Sequence, residues 1–363
     1  MARCRFGDVV KEIKNNIDRE NNPYDYYIAG GHMDSEELHI HRRGSFKTDD
    51  VGPAFIREFK KGQVLYGSRR TYLKKVAVAD FDGVTANTTF VLETKDEDVL
   101  LQSILPFVML SDSFTEWSIG KSKGSTNPYV LFSDLADYEF ELPPLEKQRT
   151  LAKLLWEIDS TKCSYKDLID KTDEVVKSQF IEMFGDPKNA AAKPGMVKGE
   201  MLFSLASGKA NTIENLNDQY PYECYGGNGI TGNSKNYLVK DPTIVIGRVG
   251  EYCGSVHMTS PFSWITDNAI YITDYDEKTI NLEFLYRECQ VMDFHRFAAT
   301  VGQPKITQKP LLESFYIVPT MERQNQYVDI AEQSDKSKFE LQYVKRNVKE
   351  MIKCSQKKIQ LNR

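Results

Sequence analysis

The sequence predicts an α+β protein in which two pseudo-two-fold related globular domains are joined by two long antiparallel helices that form a coiled-coil spacer. The first observation is a repeat. Residues 142–148 read LPPLEKQ, and residues 318–324, which lie 176 positions later, read VPTMERQ. Asp159 has its counterpart in Asp335 at the same offset. The second observation is that apolar residues follow each copy at seven-residue spacing, which is typical of long helices that pack on one another.

The repeat extends upstream into segments that read as strands and turns. The matched segments are residues 66–69 (YGSR) with 246–248 (IGR), 85–91 (TANTTFV) with 266–272 (TDNAIYI), and 127–128 (NP) with 303–304 (QP). Several matches in one order argue against chance, so each half is predicted to be a globular unit followed by a long helix. The predicted segments are a first globular domain at 1–141, a central helical segment at 142–187, a second globular domain at 188–317 and a C-terminal helical segment at 318–363.

The two helical segments are expected to pack through an apolar seam. Its predicted members are Leu151, Leu154, Ile158, Leu168 and Val175 in the first helix, and Ile330, Leu341, Val344, Val348 and Met351 in the second. Gly185, followed by Asp186-Pro187, predicts that the first helix ends at Phe184. Residues 188–199 are expected to be a linker. Upstream, residues 99–111 are predicted to form a helix and residues 76–84 a strand.

Composition argues against a globally basic protein but leaves room for a local basic surface. The net charge is −5, whereas residues 42–75 contain ten Lys and Arg against three acids, a local excess of +7. Local clusters count for more than the total when the ligand is a polyanion. Taken alone, such a cluster is more typical of a solvated face.

Cysteine usage and hydropathy indicate a cytoplasmic protein. The six cysteines are scattered without a CxxC pair, and the first residues lack a signal-peptide pattern. No apolar run approaches the ~20 residues of a membrane span. His32, His39 and His41 cluster in sequence, but no cysteine lies close to them, so a zinc site is not predicted.

No motif supports catalysis, so we expect no catalytic, cofactor-binding or metal-binding residue. Residues 227–232 (GNGITG) match GxGxxG, but the strand–helix context of a dinucleotide site is missing, and a glycine-rich turn is the better interpretation. Residues 127–129 (NPY) lack the second proline of the Asn-Pro-Pro-aromatic motif of amino-methyltransferases. Walker, GxSxG and HExxH motifs do not occur.

The remaining chemistry suits phosphates and base edges. Arg can bridge O6 and N7 of guanine, and Asn or Gln can bridge N6 and N7 of adenine. The DNA-binding candidates are Arg42, Arg43, Ser68, Arg69, Arg70, Tyr72, Lys74, Lys121, Lys123, Asn228, Lys235, Arg248, Arg296, Gln303 and Lys305. For any one of them an ordinary exposed polar role is about as consistent with the sequence as contact with DNA.

The chain resembles the specificity subunits of type I restriction–modification systems over nearly its whole length. The residues that carry the resemblance are 52–56 (GPAFI), 66–73 (YGSRRTYL), 142–148 (LPPLEKQ), 184–185 (FG), 225–230 (YGGNGI) and 244–250 (IVIGRVG). The resemblance implies two target recognition domains, each reading one part of a split, asymmetric site in double-stranded DNA. It also implies helices that dock methyltransferase subunits, two of them, alongside restriction subunits. Catalysis, with S-adenosylmethionine, ATP and Mg²⁺, would then belong to these partners.

Two other classes of function remain open. One is a recognition module fused to, or associated with, a methyltransferase of another restriction class. The other is a coiled-coil adaptor with no DNA role. Binding of S-adenosylmethionine by the isolated chain would favour the first, and salt-dependent DNA binding would exclude the second.

Overall fold

The computed structural model describes residues 2–189, 195–212, 215–299 and 303–360, and within these ranges it describes side chains from 3 to 339 and at 341. The chain divides into two compact units, Met1–Tyr165 with Tyr343–Arg363, and Lys166–Gln342. Each unit mixes helices with short strands, which confirms the predicted α+β class. This division passes through both long helices, whereas the sequence-based boundaries keep each helix as a segment of its own. None of the helices in the described part of the chain combines the length and apolarity needed to cross a membrane.

The first half of the chain consists of short strands and short helices that lead into one long helix. Its elements are β1 (Ala2–Arg5), α1 (Phe6–Val9), β2 (Val10–Ile13), β3 (Tyr26–Ile28), β4 (Gly44–Ser45), β5 (Phe55–Phe59), β6 (Val64–Gly67), β7 (Val76–Val78), β8 (Gly83–Ala86), β9 (Thr89–Thr94), α2 (Leu105–Met109), α3 (Asp112–Lys121), α4 (Phe132–Ala136), β10 (Glu139–Leu142) and α5 (Leu145–Phe184). The sheets have the orders β2-β9-β6-β7, β4-β3-β8-β5 and β1-β10.

The second half repeats this plan. Its elements are β11 (Met196–Lys198), α6 (Gly199–Leu202), β12 (Phe203–Ser207), β13 (Tyr222–Gly226), β14 (Gly229–Ser234), β15 (Ile244–Gly247), β16 (Val256–Met258), β17 (Trp264–Ile265), β18 (Ala269–Tyr275), α7 (Leu282–Met292), α8 (Gln308–Glu313), β19 (Phe315–Ile317) and α9 (Met321–Gln360). The sheet β12-β18-β15-β16 has the same order as β2-β9-β6-β7. Leu65 pairs with Val91 as Val245 pairs with Tyr271, so the register repeats as well.

Strands β6 and β15 are buried on both faces. Val64 and Tyr66 belong to one apolar cluster of the first unit and Leu65 to another. In the second unit Ile244 and Val245 divide in the same way between two clusters. Side chains alternate between the faces of a strand, so a continuous apolar run is the pattern expected for a strand covered on both sides.

The predicted end of the first long helix is confirmed. Helix α5 ends at Phe184, and Gly185 follows with φ +92°, a left-handed conformation that glycine adopts without strain. Other boundaries differ from prediction. Residues 76–84 form parts of two strands in different sheets, and within 99–111 only Leu105–Met109 is α-helical. Met196–Lys198 of the expected linker pairs with β19, while residues 190–194 lie outside the described residues.

Four of the seven predicted seam residues whose side chains the structure describes are exposed. Ile158 is buried, and Leu151 and Leu341 are half-buried. The exposed members are Leu154, Leu168, Val175 and Ile330. The side chains of Val344, Val348 and Met351 lie outside the described residues.

The buried stripe of the long helices lies mostly one residue further along the chain. Its members are Ala152, Leu155, Asp159, Ile169, Val176 and Phe180 in α5, and Tyr327, Val328 and Ala331 in α9. A one-residue shift turns the buried face by about 100° around a helix with 3.6 residues per turn. The sequence pattern missed the stripe because small and charged residues, such as Ala152 and Asp159, occupy positions in it.

Each long helix begins with a buried glutamine that binds three backbone groups. Gln148 donates from Nε2 to the carbonyls of Val99 (2.9 Å) and Pro143 (2.8 Å) and accepts from Leu101 N (3.0 Å). Gln324 makes the equivalent bonds to Thr279 O, Pro319 O and Asn281 N. The repeated glutamine of the LPPLEKQ segment therefore anchors the long helix to the loop ahead of α2 or α7.

Replacing Gln148 with methionine is expected to destabilise the protein by about 1–3 kcal/mol, because the part-buried Leu101 amide and the carbonyls of Val99 and Pro143 would lose their partner. The free energy of unfolding from urea denaturation, followed by circular dichroism, measures the effect. Arg149→Ala is the matched control, since its exposed ion pair with Glu146 contributes little. Equal stability of the Gln148→Met variant and the control would contradict this role.

The core of the second unit contains a fully buried carboxyl group. Glu288 of α7 is fully buried, and its Oε1 accepts from the Ile317 amide at 2.6 Å. Its Oε2 has no hydrogen-bond partner among the described residues. Burial raises the pKa of the Glu288 carboxyl well above its ordinary value. The folded protein therefore keeps a proton that the unfolded chain releases above a pH of about 4.3.

Glu288→Gln is consequently expected to stabilise the protein increasingly as pH rises. Above the unfolded pKa the unfolded wild type binds fewer protons at this position than the folded one, so wild-type stability falls with pH. The difference in unfolding free energy between variant and wild type should grow by up to about 1.4 kcal/mol per pH unit until the folded pKa is reached. A difference that is constant from pH 4 to 8 would show that Glu288 is not held neutral.

Candidate nucleic-acid interface

The loop after β6 is held by backbone hydrogen bonds to two distant segments. Ser68 N donates to Thr88 O (3.2 Å), and Arg70 N donates to Pro128 O (2.7 Å). Val130 N donates back to Ser68 O at 3.0 Å. We call this three-bond arrangement the loop clasp. The clasp fixes the backbone of 68–70 without using any side chain from 69 or 70.

The second unit contains the same clasp after β15. Arg248 N donates to Asn268 O (2.9 Å), Gly250 N to Pro304 O (2.9 Å) and Ile306 N to Arg248 O (2.9 Å). The Asn-Pro and Gln-Pro dipeptides supply the proline carbonyls of the two clasps. This confirms the interpretation of these dipeptides as a repeated structural element.

The two clasped loops differ where their backbones are left-handed. Arg70 (φ +50°) and Lys74 (φ +47°) adopt left-handed backbone conformations, which are disfavoured for residues with a Cβ atom. Gly250 (φ +84°) and Gly254 (φ +90°), 180 positions later, adopt left-handed conformations with glycine. The first unit therefore has basic side chains at two left-handed positions where the second unit has the less strained glycine.

The first clasped loop presents cationic and aromatic side chains to solvent. Arg69 and Arg70 are exposed, and no carboxylate forms an ion pair with either of them in the described part of the chain. The Arg69 guanidinium lies 5.8 Å from the ring centre of Tyr129, and Tyr72 is 53% exposed. Arg69 and Tyr129 are also joined as a β-bridge. This grouping of Arg69, Arg70, Tyr72 and Tyr129 is suited to base edges and phosphates.

Lys121 and Lys123 are two further DNA-binding candidates of the first unit, and their surroundings differ. Lys123 forms a β-bridge with Tyr129, so it borders the clasped loop, although its Nζ pairs with Asp134 at 3.0 Å. Lys121 is exposed at the end of α3, with its ammonium 4.8 Å from the Trp117 ring centre. Both lysines keep contact with solvent, as a phosphate-binding role requires.

Two predicted DNA-binding residues are corrected by the structure. Ser68 is buried, and its hydroxyl donates to Thr88 O at 2.6 Å, so it supports the loop and faces away from solvent. Lys74 pairs with Asp112 at 2.8 Å and with Glu36 at 3.7 Å, and its side chain is 16% exposed. The charge of Lys74 is therefore largely neutralised inside the protein.

The basic excess counted along residues 42–75 is reduced in space by acids from outside that range. Arg42 pairs with Asp34 at 2.5 Å, and Lys47 pairs with Asp25 at 2.8 Å. Arg43 packs over the Tyr26 ring at 3.7 Å. A count along the sequence cannot include partners that the fold supplies.

In the second unit the candidates fall into two groups. Gly227 O accepts from the Ser255 hydroxyl, and a Cβ at Gly247 would collide with the Gly227 carbonyl. The tip of the β13–β14 hairpin, which carries exposed Asn228, thus lies against the clasped loop of Arg248. This also confirms that the GxGxxG match is a hairpin turn. Arg248 is half-buried, and exposed Gln303 and Lys305 flank the Pro304 of the clasp.

Two further candidates of the second unit lie in other surroundings. Arg296 is exposed, but its guanidinium donates to the Lys188 carbonyl at 2.8 Å and lies 4.7 Å from the Phe297 ring centre. Lys235 is exposed just after β14, and its amide donates to Asn215 O. The Arg296 guanidinium is therefore held by contacts within the protein. For Lys235 only the backbone is held, and its side chain is exposed.

Two exposed aromatic residues beside the clasped loops were not among the predicted candidates. Tyr129 is 39% exposed beside Arg69, and Tyr252 is 50% exposed. Tyr252 stands 180 positions after Tyr72, the offset that already relates the two loops. Applying that offset to Tyr72 would have identified Tyr252.

Arg70→Gly is expected to leave the protein as stable as wild type or up to about 1 kcal/mol more stable, because glycine removes the left-handed strain but adds freedom to the unfolded chain. Urea denaturation measures the change. Arg69→Gly is the control, because position 69 has no positive φ and gains only unfolded-state entropy. A larger loss of stability for Arg70→Gly than for Arg69→Gly would show that the Arg70 backbone is not strained.

Comparisons with known proteins agree with this architecture. A family model described as Type I restriction modification DNA specificity domain matches residues 5–171 and 199–350. The two matches cover most of the chain, and the chain belongs to this family.

Individual relatives point the same way. The EcoprrI type I restriction enzyme specificity subunit of Escherichia coli is 31% identical over 114 residues, 31% of this chain and 28% of the relative. The EcoDI specificity subunit of Escherichia coli is 23% identical over 203 residues, 54% of this chain and 44% of the relative. The alignments thus span less than half of either curated relative. The crystal structure of a type I restriction-modification S subunit from M. genitalium shares the fold, with a TM-score of 0.52, 16% identity and coverage of 100% of this chain and 96% of that one.

Proposed function

We propose that this chain is a sequence-specific DNA-binding specificity subunit of a type I restriction–modification complex. The observation that carries the proposal is the pair of loop clasps, which have the same backbone bonds but different side chains. Positions 69 and 70 hold arginines, whereas their counterparts are Val249 and Gly250. Two units with one scaffold and different side chains are suited to reading the two unlike parts of a bipartite, asymmetric site.

The side chains of each loop fit distinct parts of a DNA duplex. Arg69 and Arg70 can bridge guanine O6 and N7 in the major groove, while Lys121 and Lys123 suit phosphates. In the second unit Asn228 and Gln303 can read adenine, with Lys305 beside them. The second site is therefore expected to depend less on arginine-to-guanine contacts than the first.

We further propose that the chain is not catalytic and works through partners. Methyl transfer and DNA cleavage would belong to methyltransferase subunits, two of them, and to restriction subunits, which would bind S-adenosylmethionine, ATP and Mg²⁺. Leu168 and Val175 support docking on the long helix, because they lie one heptad apart on α5 and are 47% and 62% exposed. An apolar pair on the solvent side of a helix suits a partner surface.

The double variant Arg69→Ala/Arg70→Ala is expected to lose about 1–3 kcal/mol of binding free energy for each arginine that reads a base. Specificity should relax in one part of the recognised sequence only. The measurement is selection of bound sequences from a random pool, followed by titrations of the selected duplex at several salt concentrations.

The matched control is Lys47→Ala/Lys61→Ala, which removes two positive charges from the same charge-rich segment but outside the clasped loop. This control variant should bind every DNA sequence with the same affinity as wild type, or more weakly by the same factor for all sequences. The recognised sequence should stay unchanged. Relaxed specificity in both parts, or the same change in the control, would contradict separate reading by the two units. Wild-type binding that does not weaken with salt would exclude DNA recognition altogether.

A further inference from the structure

Four side chains with metal-binding atoms meet in the first unit, away from the clasped loop. Glu37 and His39 lie in the segment between β3 and β4, and Asp159 and Cys163 lie one turn apart on α5. One ligand atom from each lies within 4.8 Å of all the others. We propose that this cluster, the Glu37–His39–Asp159–Cys163 cluster, is a zinc-binding site.

The donor set favours zinc over the common alkaline-earth ions. Thiolate and imidazole are ligands of zinc and of other late transition metals, whereas Mg²⁺ and Ca²⁺ prefer oxygen ligands only. Zinc–ligand bonds of about 2.0–2.3 Å in a tetrahedron separate the ligand atoms by roughly 3.3–3.7 Å. The cluster would therefore need to contract by about 1 Å, which side-chain rotations can supply.

Contacts within the cluster already point one oxygen of each carboxylate at the other two ligands. Asp159 Oδ2 lies 2.9 Å from His39 Nε2, and Glu37 Oε1 lies 3.8 Å from Cys163 Sγ. Lys162 takes the opposite oxygens, with Nζ 3.1 Å from Asp159 Oδ1 and 3.5 Å from Glu37 Oε2. The lysine thus contacts one oxygen of each carboxylate, and the other oxygens, Oδ2 and Oε1, contact the histidine and the cysteine.

Charge balance supports a cation at this place. Asp159 is 2% exposed and Glu37 is 6% exposed, and Lys162 is the cation between them. When His39 is neutral, as a zinc ligand must be, two buried carboxylates and one ammonium leave a net negative charge, which is unfavourable in a buried position unless a metal cation is present. With Cys163 deprotonated by the metal, three negative ligands are balanced by Zn²⁺ and the Lys162 ammonium. His39, whose side chain is 44% exposed, provides an entry path from solvent.

A zinc ion in this cluster would connect helix α5 to the segment between β3 and β4. That segment also carries Arg42 and Arg43, which sequence analysis assigned to DNA. Sequence spacing disfavoured zinc because His39 has no cysteine near it along the chain. The fold supplies Asp159, 120 residues away from His39, and Cys163, 126 residues away from Glu37.

The test uses the full chain, stripped of metal with a chelator and then titrated with Zn²⁺ and, separately, Co²⁺. The wild-type protein should bind zinc in a fixed stoichiometry, with one ion for each chain. The cobalt form should show thiolate-to-metal charge transfer and the d–d absorption of a tetrahedral ion. Zinc should also raise the melting temperature, since a ligand that binds the folded state stabilises it. Absence of the thiolate band in the cobalt-loaded wild type overturns the proposal without reference to any variant.

Variants identify the ligands. Cys163→Ser and His39→Asn should each weaken zinc binding by at least roughly 10-fold, because loss of even an outer-shell partner has an effect of about that size. Cys4→Ser and His295→Asn are the controls, since they remove the same atom types outside the cluster and should bind zinc as wild type does. Circular dichroism verifies that each variant is folded. Wild-type zinc affinity in folded Cys163→Ser and His39→Asn overturns the proposal.

Discussion

The arrangement of both candidate recognition loops depends on one interaction, the hydrogen bond from a loop amide to a proline carbonyl. Arg70 N reaches Pro128 O, and Gly250 N reaches Pro304 O. Proline has no N–H, so its carbonyl is the one backbone hydrogen-bonding group that it can offer to the loop. With the companion bonds at 68, 130, 248 and 306, these contacts fix the loop backbone, so that the neighbouring side chains are presented from a rigid base. Rigid support of exposed functional side chains is what a recognition site needs.

Much of the architecture could be predicted from the sequence because the chain contains its plan twice. Local signals within single segments are enough to predict three features: the end of α5 at Phe184, the hairpin turn at Gly226–Gly229, and strands β6 and β15. The buried face of the long helices could not be predicted from apolar spacing. Asp159 belongs to that face only because His39 and Lys162 pair with it, and those partners depend on the tertiary fold.

The candidate site was predictable in its location but not in every member. The repeat identified the loops after β6 and β15, and exposed Arg69, Arg70 and Tyr72 lie there. Ser68 and Lys74 belong to the same loop, yet one is buried and the other is paired with Asp112 and Glu36. Residue type gives the chemistry that a side chain could perform. Which side chains remain available is decided by partners brought in from other segments, and that information is absent from local sequence.

The loop clasp also determines which substitutions the two loops can accept during evolution. Because its bonds join backbone atoms, substitutions at positions 69 and 249 can alter what each loop contacts while the hydrogen bonds remain in place. Proline is the exception at 68, 70, 248 and 250, since each of these residues donates its amide hydrogen to the clasp. A scaffold of this kind separates folding from recognition. New binding preferences can therefore arise by single exposed substitutions, one loop at a time, without a compensating change in the core.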